Sequence, residues 1–224
     1  FNTTTNCLEY YVNSDWNVIS CPFVCGDNLV DSRDGNIYHT VKIGKQCWMK
    51  GNLNYASANS VCFNNSTIFC NTYGRLYKWD DATGGISSIL NPSGVRGVCP
   101  SGWHIPSDAE WMQLELYLGM DTLTANGTGW RGTLDEGGKL KESNTSFCTV
   151  PNTGATNSSQ FTALPSGACK TDGTFYDLGI GVHWWSTTVD SSNAWRRCLA
   201  CARSTIYRGN SDKLFSFSVR CVKD

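Results

Sequence analysis

A chain of 224 residues that is 40% hydrophobic and carries nine tryptophans can bury a sizeable core as one domain. A net charge of −1 with no basic run excludes nucleic acid as a partner. Twelve cysteines, an even number spread over the whole length, exclude an ordinary cytosolic protein and indicate disulfides made in an oxidising space.

The sequence opens at Phe1 with no methionine and no apolar leader, so a targeting segment removed during export is expected. No run approaches the ~18 apolar residues of a membrane helix. Residues 1–30 read as an arm too short to hold its own core. Leu8, Tyr10-Tyr11-Val12 and Trp16-Asn17-Val18-Ile19 are short β-prone pieces, divided by the turn signal Asn13-Ser14-Asp15. Cys7, Cys21 and Cys25 lie in this arm and would pin it.

After the turn Asp34-Gly35-Asn36, the residues Ile37, His39, Val41 and Ile43 alternate with Tyr38, Thr40 and Lys42, a half-buried strand with His39 on its apolar side. Gly44-Lys45 suits a two-residue turn into a second strand around Gln46–Met49. Cys62 and Cys70 are close enough to tie one loop locally. Residues 73–82 read as one short helix stopped by Gly84-Gly85, with Asp80-Asp81 at an exposed acidic end rather than in a calcium site.

The best-specified helix follows Cys99-Pro100-Ser101-Gly102-Trp103-His104-Ile105-Pro106. Ser107 and Glu110 make a capping box, and Pro106 and Trp111 occupy the hydrophobic-staple positions. Trp111, Leu114 and Leu118 share one apolar face, and Gly119 is the stop signal. Trp103, Trp111, Leu114 and Phe217 are expected to share one core.

Residues 121–160 read as a long Gly-, Thr- and Asn-rich loop with one helical turn near Lys139-Leu140-Lys141. Strands are expected at 161–165, 183–187 and 194–199. In a closing strand Phe215, Phe217, Val219 and Cys221 face the core, while Ser216, Ser218 and Arg220 face water or a neighbour.

Chemistry is scarce. No phosphate loop, Gly-x-Ser-x-Gly elbow or His-Glu-x-x-His is present, and His39, His104 and His183 stand apart in sequence. Cys198-x-x-Cys201 reads as two cysteines that pair elsewhere, because residues three apart in a strand point to opposite faces. Sequons occur at Asn2, Asn64, Asn65, Asn126, Asn144 and Asn157, all in loops or the leader, where a glycan fits. No cofactor and no metal are expected.

The blocks Asp31-Ser32-Arg33-Asp34-Gly35-Asn36-Ile37-Tyr38, Val41-Lys42-Ile43-Gly44, Trp48-Met49-Lys50-Gly51-Asn52-Leu53-Asn54-Tyr55, Tyr73-Gly74-Arg75-Leu76-Tyr77 and Cys99 to Pro106 resemble the Fibrobacter succinogenes major paralogous (FISUMP) domain. So do Phe161 to Gly167, Trp184-Trp185-Ser186-Thr187-Thr188 and Phe217 to Asp224, all in family order over 31–224. The resemblance implies a secreted, surface-associated α+β domain of the C-type-lectin-like fold: a twisted antiparallel sheet, two short helices and long disulfide-tied loops. It also makes the blocks around Cys99 and Cys221 neighbours, which implies a Cys99–Cys221 bond. Cys148–Cys169 is the further pairing expected, flanking the Phe161 strand, within a total of about six bonds. The catalytic cysteines of the distantly similar formylglycine-generating enzymes have no counterpart here. Nor has the calcium motif of sugar-binding lectins of that fold.

The reading that results is a non-enzymatic, extracellular structural subunit of a surface appendage. The arm, through Leu8, Tyr10, Tyr11, Val12, Trp16 and Val18, would add to the next copy and make a homopolymer. The other reading is a monomeric module for surface glycans, using the 121–160 loop with Trp130, Trp184 and Trp185.

Overall fold

The structure, a computed structural model, describes residues 8–12, 15–20 and 22–224. Strands β1 (Leu8–Val12) and β2 (Asp15–Ser20) form an antiparallel hairpin that is a two-stranded sheet of its own, with Leu8 opposite Ser20 and Val12 opposite Asp15. Asn2, Cys7 and Cys21, and the side chains of Trp16 and Val18, for which the sequence raised expectations, lie outside the described residues.

The next elements are β3 (Asn28–Val30), β4 (Ile37–Ile43), β5 (Gln46–Met49), α1 (Thr67–Tyr73), β6 (Leu76–Lys78) and α2 (Trp79–Thr83). They are followed by β7 (Trp103–His104), α3 (Asp108–Tyr117), α4 (Thr122–Asn126), β8 (Gly129–Arg131) and α5 (Glu136–Leu140). The last third is strand-rich: β9 (Ser166–Cys169), β10 (Phe175–Leu178), β11 (Gly181–Asp190), β12 (Asn193–Ala200), β13 (Ile206–Asp212), β14 (Ser216–Ser218) and β15 (Val222–Lys223).

The architecture is α+β and dominated by two sheets. A five-stranded sheet has the order β3-β4-β5-β15-β7, and an eight-stranded sheet has the order β10-β9-β14-β11-β12-β13-β8, with β6 paired to β14. Strand β15 enters between β5 and β7, with Val222 opposite both Trp48 and His104. The Cys99–Cys221 bond fastens that insertion across 122 residues. Closing a loop of about that size removes on the order of 4–5 kcal/mol of chain entropy from the unfolded state.

Helix α3 starts where its local signals dictate. Ser107 accepts from the Glu110 amide at 3.2 Å, and Glu110 accepts from the Ser107 amide at 2.9 Å. Gly119, at φ +110°, follows its C-cap. The expected single core is two. Trp111 and Leu114 pack with Trp48, Phe161 and Trp184, whereas Trp103 and Phe217 pack with Trp185, Met49 and Tyr77. Strand β11 separates the two clusters because Trp184 and Trp185 project to opposite faces of it.

Several local expectations are corrected. The residues expected as one helix over 73–82 divide into β6 and α2, because β6 is recruited to pair with β14 through Leu76, Tyr77 and Lys78. The described residues hold five α-helices rather than two, and α4, β8 and α5 break up the loop expected over 121–160. In β4, Ile37 and His39 face outwards. Tyr38 and Thr40 take the inner side, and the buried side then switches at Val41, which, like Thr40, is buried. Ser216, Ser218 and Arg220 do not meet water, since every residue from Ser216 to Val222 is buried as the chain threads from one sheet into the other.

The disulfides are Cys25–Cys47, Cys62–Cys70, Cys99–Cys221 and Cys148–Cys201. Cys148 therefore bonds Cys201 and not Cys169, because the segment carrying Cys148 is held beside the turn between β10 and β11, where the Thr149 amide donates to the Gly179 carbonyl and the Cys201 amide to the Ile180 carbonyl. Cys169 and Cys198 are buried free thiols, so Cys198 does not pair elsewhere as expected. Among the described residues four bonds join eight of the ten cysteines, and the two free thiols overturn the expectation that all twelve cysteines pair in six bonds.

Candidate ligand cleft

An open cleft of about 520 Å³ lies where the two sheets meet. Its walls come from the start of β4, residues 50–54, the C-terminal end of α1 and the loop 157–164, with Arg220 at the floor. Gly74 lets α1 end tightly against residues 52–53. At its φ of +80° an added Cβ would crowd both the side chain and the carbonyl of Asn52.

Asn52 organises the floor. Its Oδ1 accepts from Trp184 Nε1 at 2.8 Å and from Arg220 Nη2 at 2.8 Å, and its Nδ2 donates to the Tyr73 carbonyl at 2.9 Å. The Arg220 guanidinium also donates to the Phe161 carbonyl, with the Phe161 ring 4.1 Å and the Trp184 ring 5.3 Å from it. Burial without a carboxylate partner pushes its pKa down to about 9. The Tyr38 hydroxyl accepts from the Asn54 amide at 2.9 Å, and burial pushes its pKa up to about 12. Burial also raises the Tyr73 phenol.

The outer wall is conformationally strained. Asn157, Gln160 and Thr162 all have positive φ, at 49°, 58° and 57°, and for β-branched Thr162 this costs of order 1–3 kcal/mol. Asn157 holds the turn by accepting from the Thr162 amide at 2.9 Å and donating to the Thr162 hydroxyl at 3.1 Å. Amides, hydroxyls, one buried cation and the exposed Ile37 give the cleft polar partners beside an apolar edge.

The aromatic trio expected to bind ligand is not brought together. Trp184 and Trp185 are 1% and 0% exposed. They sit in the centre of the eight-stranded sheet, and Trp185 Nε1 is spent on the Tyr77 carbonyl at 2.8 Å. Trp130 is 37% exposed on the far edge strand β8, packed against Tyr207 and Arg203. The cleft residues Asn52, Asn54, Tyr73 and Arg220 are absent from that expectation. Their only sequence signal is membership of the Trp48–Tyr55, Tyr73–Tyr77 and Phe217–Asp224 blocks. Of the sequons, Asn64, Asn65, Asn126 and Asn144 are exposed, while Asn157 is half-buried in the cleft wall.

The remaining titratable clusters are tied up in the framework. Both nitrogens of His104 face carboxylates, Glu110 and Asp224. His183 accepts from Arg196 Nη1 on Nδ1 at 3.0 Å and so donates from Nε2 to Asp177 at 3.1 Å. Arg197, Arg131 and Arg208 surround Asp108 and Glu115 of α3. Lys141 Nζ donates to the carbonyls of Thr153, Ala200, Cys201 and Arg203 at 2.7–3.2 Å. Among the described residues no group of three His, Cys, Asp or Glu side chains is placed to hold a metal, and no helix is long and apolar enough to cross a membrane.

No curated protein and no solved structure shows significant similarity to the chain. The family model of the Fibrobacter succinogenes major domain matches residues 41–223, a span that takes in the two large sheets apart from β3 and the first four residues of β4, the cleft walls apart from Asn36 to His39, and the Cys99–Cys221 bond. The chain belongs to the Fibrobacter succinogenes major domain family.

Proposed function

We propose that the chain is a secreted, non-enzymatic structural subunit of an extracellular surface appendage, joined to further copies through its N-terminal hairpin. The observation that carries this reading is the hairpin. It lies outside the family match, and its Leu8, Tyr10, Tyr11 and Val12 are 43–59% exposed. A β-prone apolar element of that kind is a ready template for pairing with another chain. Added head-to-tail to the next copy it makes a contact that does not close, which yields a filament. The disulfides support an oxidising, extracellular setting. The fold is read as C-type-lectin-like, supported by the entry of β15 between β5 and β7. Absence of enzymatic activity is supported by the engagement of each histidine and buried acid in a framework contact.

The experiment is deletion of residues 1–20, with sizing and negative-stain microscopy of both forms. The full chain is expected to give filaments, and the truncated chain a folded monomer that no longer polymerises. Filaments from the truncated chain would reject the hairpin as connector.

A second reading is favoured by the cleft: a monomeric surface module that holds a glycan there. Asparagine amides beside an aliphatic edge are the groups that recognise sugar hydroxyls and sugar faces. Binding of neutral and acidic oligosaccharides to the chain, weakened when Ile37→Ser removes the exposed apolar edge of the cleft, tests it.

A further inference from the structure

The floor of the cleft holds polar groups that the protein leaves unmet. A guanidinium has five N–H donors. Those of Arg220 make three hydrogen bonds, two to Asn52 Oδ1 and one to the Phe161 carbonyl, so two have no protein acceptor among the described residues. No carboxylate pairs with this cation, although it is 1% exposed. Burying an unpaired charge is costly, and in most proteins a buried arginine has an acid beside it, as Arg197 and Arg131 do here. The Phe161 and Trp184 rings soften the cost at the guanidinium faces but offer nothing to its N–H edge.

Two further features point the same way. Asn54 Oδ1 is buried with no hydrogen-bond donor and belongs to a residue lining the cleft. The charged side chains lining the cleft, apart from His39, are Arg220, Lys50 and Glu142, and the Glu142 carboxylate already accepts from the Asn144 amide at 3.0 Å. The cleft therefore presents a surplus of positive charge in a chain whose net charge is −1.

We infer that the cleft takes an acidic saccharide, a uronic-acid-bearing glycan, with its carboxylate directed to Arg220 and Lys50. This rests on the reading of the cleft as a glycan site. A carboxylate matches the planar edge of a guanidinium and forms the stronger, charge-assisted kind of hydrogen bond. A sugar hydroxyl supplies the donor that Asn54 Oδ1 lacks. Ile37, 61% exposed, and the half-buried Tyr73 provide apolar surface for the faces of the sugar ring.

The test titrates the full chain calorimetrically with galacturonate, glucuronate and mannuronate oligosaccharides, each beside its methyl ester, which keeps the sugar and removes the charge. At least one acid is expected to bind, with its ester about tenfold weaker, the loss of one charge-assisted contact. Raising the salt concentration lowers the affinity of the acid and leaves the ester unchanged. Lys50→Gln weakens the acid several-fold with the melting temperature unchanged, and Arg220→Lys, which keeps charge but not the fork, loses the acid preference. Equal binding of acid and ester overturns the acidic class while leaving the cleft a glycan site. Failure of a folded protein to bind any acid, ester or neutral oligosaccharide overturns both.

Discussion

Glu110 Oε1 and His104 Nε2 lie 2.7 Å apart in a buried pair, and the other imidazole nitrogen lies 2.7 Å from Asp224 Oδ1. With a carboxylate at each nitrogen, the ring is held as an imidazolium. Burial opposes that charge, but the bonds to Glu110 and Asp224 outweigh it and raise the pKa above the ordinary histidine value. The contribution to stability is therefore complete below about pH 6.5, the unfolded value, and is lost as pH rises through the higher native one. Urea unfolding followed between pH 5 and 9 should show stability falling on the alkaline side of 6.5, and His104→Gln should flatten that slope. An unchanged slope in the variant would mean that another group titrates.

Arg197 joins α3 to β12 by donating to Glu115 Oε1 and Asp108 Oδ1, each at 2.6 Å. Arg197→Met would leave two buried carboxylates short of a partner. A loss of about 3–5 kcal/mol in unfolding free energy is expected. Arg208→Met, at the more exposed end of the same network, should cost less. Equal losses would show that the network is not graded by burial.

The free thiols are a direct check on the disulfide framework. Peptide mapping without reductant should link Cys148 to Cys201, and Cys169 and Cys198 should react with maleimide only after unfolding. Burial also raises the Cys169 pKa, which slows its reaction further. Rapid labelling of the native chain at either position would contradict their burial.

Trp111 meets the rings of Trp48 at 4.8 Å, Trp184 at 5.7 Å and Phe161 at 6.2 Å. Trp111→Ala should cost about 3–5 kcal/mol in unfolding free energy. A melting temperature within a degree or two of the parent would mean that α3 does not close this core.

Helix α3 was legible in the sequence because its start depends on residues three apart: Ser107 and Glu110 satisfy each other's amides wherever the rest of the chain lies. Strands β11 and β12 were legible from their β-prone content, and the Cys62–Cys70 bond from its short span. The cleft was not. Arg220 and Asn52 are 168 residues apart, and nothing local marks either as a partner of the other. Trp184-Trp185 misled for a related reason. An aromatic pair in a strand looks like a binding platform until both faces of that strand are covered, here by separate cores. The Ser216–Arg220 alternation likewise reads as one wet face, because only the passage between two sheets buries both sides.

The entry of β15 between β5 and β7 also sets the order in which this domain can be completed. Val222 pairs with Trp48, a partner made some 170 residues earlier, so β5 is synthesised long before the strand that covers its edge. Contacts of such sequence separation slow folding and leave apolar edges open meanwhile. A half-built sheet must then stay shielded until β15 docks, and the Cys99–Cys221 bond is the step that seals the domain.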